Sequence, residues 1–131
     1  MHTKTLMILS ALFMAILGVA ASFFPQEILA YSGSQPGRLS ALLIQISGAV
    51  YLGFASVNWT ARANIIGGIY NRPVALGNFL HFTIATVALL KGLISGLNAT
   101  EVVSGTIVYS VFSVWFGLVL FTHPSQVGES K

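Results

Sequence analysis

Apolar residues in this chain gather into four runs of about 20, each interrupted by few polar side chains. Thr5 to Phe24 is the first and stops at Pro25; Leu39 to Trp59 is the second; Pro73 to Ser95 is the third; Val102 to Phe121 is the fourth and stops before Pro124. A helix of about 20 apolar residues crosses the ~30 Å hydrocarbon core of a bilayer once. The third run shows the fit best. Arg72 and Lys91 stand 19 helical steps apart, about 28 Å at ~1.5 Å per step. The pattern predicts an all-α membrane protein: a four-transmembrane-helix antiparallel bundle in a single domain covering residues 1–131.

The connections refine this picture. PQEILAYSG, from Pro25 to Gly33, reads as a short interfacial helix with proline in its first turn and glycine as its stop. Gly96 to Glu101 is a short turn, so the third and fourth helices are expected to be antiparallel neighbours. Thr60 to Arg72 is semi-apolar around Gly67-Gly68 and reads as a re-entrant or surface turn. The start imitates a secretory signal, with Val19-Ala20-Ala21 as a small-residue cleavage motif. Its apolar run is longer than an ordinary signal core, so a retained first span is the expectation.

Composition supports the membrane class. Hydrophobic residues make up 55% and charged residues only 7%, with a mean hydropathy of +0.83. A soluble domain carries about 25% charged residues. A soluble chain this short cannot hide so much apolar surface in one core. The chain has no Cys and no Asp, which excludes thiolate chemistry and Cys-based metal sites. The net charge of +3 reflects loop bias and points to no nucleic-acid partner. Lys4, Arg62, Arg72 and Lys131 fall on one side and Arg38 and Lys91 on the other. The positive-inside rule then places both termini in the cytoplasm of an inner (plasma) membrane.

Small residues recur at helical spacing in each run. The first has Ala11, Ala15, Gly18 and Ser22. The second has Ser40, Ser47, Ala55 and Asn58, with Gly48 beside them. The third has Asn78, His81, Ala85, Ala88 and Gly92. The fourth has Thr106, Ser110, Ser113 and Gly117. Hydrophobic drive between helices is weak in lipid, and small residues permit close backbone approach instead. The stripes predict small faces turned inward and bulky Leu, Ile and Phe turned to lipid. Gly92 and Gly96 offer an alternative face for pairing between protomers.

His81 lies about 13 Å into the third span, on the face of Asn78. Intramembrane ionisable residues face a bundle interior and commonly mark function. Two readings follow. His81 is a proton-responsive or ligand-binding group with Asn78, or a structural histidine satisfied by Asn78, Tyr51, Ser47 or Ser113 from neighbouring helices. Gln45, nearer the outer surface, is expected to join two helices by a hydrogen bond. Asn58, Trp59, Arg62, Asn64, Tyr70, Asn71 and Arg72 crowd the cytoplasmic boundary. Trp, Tyr and Arg are ordinary there. The sharper reading is a head-group or anion pocket held by Arg62 and Arg72, with Asn58 and Asn71 beside them.

These residues do not fit several familiar four-helix chemistries. Bis-histidine haem ligation fails, because His2 and His123 sit at the surface while His81 is deep. Proton-coupled four-helix exporters need an acid in their first helix, and Thr5 to Phe24 has none. No acid–base pair, activated nucleophile or metal cluster is recognisable, so no catalytic residue, metal site or cofactor is assigned. In span layout the chain resembles the small four-helix bacterial inner-membrane proteins that are DoxX-like, most of all over NWTARANIIGGIYNRPVALGNFLHF. The resemblance implies association with redox or stress complexes and transfers no catalytic residue. The expected function is therefore an accessory or scaffold subunit, with the bilayer and either further copies or other membrane subunits as partners. The alternative is an oligomeric binding or transport module for a small molecule, lipid or ion, built around Asn78 and His81.

Overall fold

A computed structural model describes residues 3–35, 37–63 and 71–122. They form five helices: α1 Thr3–Phe23, α2 Pro25–Tyr31, α3 Arg38–Ala61, α4 Arg72–Ile94 and α5 Thr100–Thr122. All but α2 are long and apolar enough to cross a membrane. Their bounds fall within two residues of those expected from the apolar runs, because Pro, Gly and charged residues mark most of the ends. The Gly67-Gly68 turn, most of the Thr60–Arg72 connection, His2, Asn64, Tyr70, His123 and the polar tail with Lys131 lie outside the described residues.

The chain divides into two compact units, His2–Ala63 and Asn64–Lys131. In the first unit α1 and α3 run antiparallel. Ser10 meets Asn58, Gly18 meets Leu52 and Ser22 meets Gly48, so one number rises as the other falls. Between them α2 begins directly after Phe24, with Pro25 at its start and no side-chain cap. Gly33 ends it with φ +69°, a conformation that glycine adopts without penalty. Ser34 N–H then bonds back to Leu29 O at 3.2 Å. Pro25 and Leu29 are buried, while Phe24, Ile28 and Tyr31 are exposed. The expected short helix is present.

The second unit is the α4–α5 hairpin. Gly96, at φ +98°, closes α4 while Leu97 N–H bonds to Gly92 O at 3.0 Å. Phe79 packs on Gly117, Thr83 meets Ser113 and Leu89 lies nearest Gly105, so these helices are also antiparallel. Lys91 in the last turn of α4 and Glu101 in the first turn of α5 each complement their helix dipole.

The inward faces differ in part from the small-residue stripes. In α1 the expected Ala11 and Gly18 are buried, joined by the bulkier Leu6, Met7 and Met14. In α3 the buried line is Ala41, Gly48, Ala55, Asn58 and Ala61, while Ser40 and Ser47 turn outward. The serines lie one residue off the seven-residue step of that line, about 100° around the helix. In α4 the line is Ala75, Asn78 and Phe82, and Ala88 is exposed. In α5 it is Thr106, Tyr109, Phe112, Phe116, Gly117 and Val119. The expectation that Phe faces lipid is corrected for Phe82, Phe112 and Phe116, which are buried, with Phe82 stacked on each of the other two. Ile16, Ile46, Ile84 and Ile107 are all exposed on their helices.

Candidate functional site

Hydroxyl groups within a span need a partner, since the hydrocarbon core supplies none. Here most bond the carbonyl one turn back: Ser47 to Leu43 O at 2.8 Å, Ser56 to Leu52 O at 2.9 Å, Thr86 to Phe82 O at 2.7 Å and Ser110 to Thr106 O at 2.6 Å. Ser47 is exposed, and its hydroxyl serves its own helix.

Other polar residues reach across to a neighbouring helix. Asn58 is fully buried and donates Nδ2–H to Ser10 Oγ at 3.0 Å. Ser10 Oγ in turn donates to Met7 O at 3.1 Å. The chain Asn58–Ser10–Met7 ties α3 to α1. The sequence groups Asn58 with Arg62 at the boundary. Asn58 lies one turn deeper, and its side chain enters the seam, because residue 58 continues the Ala41–Gly48–Ala55 face. In the other unit Thr83 Oγ1 and Ser113 Oγ are 2.7 Å apart and tie α4 to α5. Ser113 therefore meets Thr83, and Ser10 and Thr83 are the partners that the sequence reading missed. Gln45 Nε2 stands 3.5 Å from Ser22 O, an exposed contact at the limit of a hydrogen bond.

His81 lies on α4 with its Nε2 buried. Its ring stands 5.2 Å from that of Phe82 and 6.0 Å from that of Tyr109 on α5. Phe82 is the hub of this wall. It stacks on Phe112 at 4.8 Å and Phe116 at 5.7 Å, and meets Tyr109 edge-on at 5.4 Å. Asn78, one turn before His81, is fully buried and donates to Val74 O at 2.9 Å. The second unit thus holds Asn78 and His81 on adjacent turns, with Tyr109 across from the histidine. An imidazole so placed can donate, accept or exchange a proton with a ligand. Among the described residues of the two helices the one carboxylate is Glu101, in the first turn of α5 and about two turns from Tyr109.

Arg62 and Trp59 end α3. The Arg62 guanidinium carbon sits 4.1 Å over the Trp59 ring, and an Nη1–H donates to Trp59 O. Arg72 and Asn71 open α4, where Asn71 is the N-cap without a side-chain cap bond and Arg72 is exposed. Tyr51 is half-buried on α3. Tyr51, Ser47, Asn58 and Arg62 belong to the first unit; Asn71, Arg72, Asn78, His81 and Ser113 belong to the second. Among the described residues no group of three His, Cys, Asp or Glu side chains is placed to hold a metal ion. Compared with protein families, curated proteins and solved structures, the chain finds no match.

Proposed function

We propose that this protein is a non-enzymatic integral membrane subunit, an accessory or scaffold component of a larger membrane assembly. One observation carries the reading. Many Ser, Thr and Asn side chains of the four long helices bond to their own carbonyls or to one neighbouring helix, and outward faces of Leu, Ile and Val run along the helices. Such surfaces suit lipid or other membrane helices and offer little to a soluble substrate. The four-to-two distribution of basic residues supports an inner-membrane topology with both termini cytoplasmic. The DoxX-like span layout fits a subunit of a redox or stress complex. Further copies of the chain or other membrane subunits are the partners.

Affinity purification at native abundance in mild detergent is the test. The proposal expects a stoichiometric membrane partner or a defined oligomer. A chain that elutes alone and monomeric would contradict it.

Buried Asn78 beside half-buried His81, with Tyr109 near the imidazole, favours a second reading: an oligomeric binding or transport module for a small molecule, lipid or ion. Replacing His81 with Ala then abolishes ligand binding or flux in reconstituted vesicles. Unchanged binding in a folded His81→Ala protein would remove the site.

A further inference from the structure

The end of the first unit where α1 begins and α3 finishes has a distinctive charge. Antiparallel pairing brings the start of α1, with Lys4, to the same end as Trp59 and Arg62. The single acid among the described residues of this unit is Glu27, on α2 at the opposite end. That rim is therefore basic and aromatic with no described carboxylate to neutralise it.

Arg62 is also held. Its guanidinium lies over the Trp59 ring, and one N–H donates to Trp59 O at the helix terminus. Stacking on an aromatic face and bonding to the carbonyl fix the plane of the fork in advance. A guanidinium has five N–H donors and a carbonyl takes one, so the fixed plane retains donors in the geometry that suits phosphate. Trp59 is itself 45% exposed, the position of an indole at a membrane–water interface.

From this geometry we infer that Arg62, seated on Trp59, binds the phosphate of an anionic phospholipid head group, with Lys4 adding charge at the same rim. The inference rests on the chain crossing a membrane and goes beyond its role as a subunit. Asn58 takes no part, being committed to Ser10. The lipid is favoured over free phosphate because the rim lies at the end of helices of bilayer length, where head groups are the abundant anions.

The test uses the full chain in nanodiscs of mixed phosphatidylglycerol and phosphatidylcholine, with retained lipid read by mass spectrometry. Wild type is expected to enrich phosphatidylglycerol over the bulk ratio, and Arg62→Gln to lower that enrichment by about five-fold, the effect of one basic residue at the surface. Arg62→Lys and Trp59→Leu are expected to fall between the two. Excess inorganic phosphate should leave the enrichment unchanged; displacement by it would overturn the lipid as ligand. Equal enrichment in wild type and Arg62→Gln would overturn the site, and full retention by Arg62→Lys would overturn the stacked fork in favour of a point charge. Should Arg62→Gln fail to fold by circular dichroism, the Lys and Leu variants carry the decision. Extraction of the wild-type chain from membranes by carbonate would contradict the membrane reading itself, and the site with it.

Discussion

The two helical hairpins solve one problem by different chemistry. In the first, α1 and α3 come together through missing side chains. A Cβ placed on Gly48 would lie 2.7 Å from Ser22 N and 2.9 Å from Gly18 O; one on Gly18 would lie 2.9 Å from Leu52 N. These are main-chain atoms that cannot swing aside. In the second, α4 and α5 come together through large side chains: Phe82 stacks between Phe112 and Phe116, and Phe79 leans on Gly117. Backbone approach gains dispersion contacts between the helices themselves, whereas aromatic stacking gains them between rings. Both suit lipid, where apolar burial alone gives two helices little reason to associate.

The contrast can be broken from either side. Phe82→Ala removes the hub of the stack and should have the largest effect. We expect a loss of about 3 kcal/mol, at the low end for buried phenylalanine because lipid already solvates apolar groups. Reversible unfolding in mixed detergent micelles measures it; a loss under a third of that size would mean the rings are incidental to pairing.

Next comes Gly48→Ala, a single methyl group, with an expected loss of about 1–3 kcal/mol from overpacking against backbone. Gly53→Ala is its control. That position lies on the same helix with nothing within 4 Å of the added carbon, so its effect should be near zero or slightly stabilising. Equal effects at the two glycines would show that helix propensity, and not close approach, dominates the first hairpin.

The smallest terms are the polar ties. A double-mutant cycle on Ser10 and Asn58 should give a coupling of about 0.6–1.7 kcal/mol, the range for hydrogen bonds between membrane helices. The cycle on Thr83 and Ser113 should fall at or below it, since neither residue is fully buried. A larger coupling for Thr83 and Ser113 would reverse the ranking of the two ties.

The comparison also explains what the sequence disclosed. Span number and bounds were legible because length, hydropathy and terminal Pro, Gly and charged residues act locally. Pro25 and Gly33 marked α2 for the same reason. The inward faces were only half legible. Periodicity assigns Ser47 and Ala55 to neighbouring directions on α3, and a shift of one residue separates Ser47 from the true line through Gly48. In α5 the Ser110–Ser113–Gly117 stripe and the aromatic line through Tyr109, Phe112 and Phe116 lie on overlapping faces. Residue type alone does not say whether a phenylalanine meets lipid or another ring. The candidate site followed suit. Periodicity put Asn78 and His81 on adjacent turns of one helix, but the partners of Asn58 and Ser113 depend on which helices pair, and that is a tertiary fact.

Underlying the whole account is the claim that the exposed aliphatic faces look onto lipid. The chain has no cysteine, so any introduced one reports alone. Single cysteines at Ile16 and Ile84, 70% and 66% exposed on their helices, can be compared with single cysteines at Ser34 and Asn98 in the connections. Treated with a membrane-impermeant maleimide in intact cells, Ser34→Cys and Asn98→Cys should label, whereas Ile16→Cys and Ile84→Cys should label only after denaturation. If the two span positions label as fast as the connections in intact cells, those faces meet water and the membrane account is wrong.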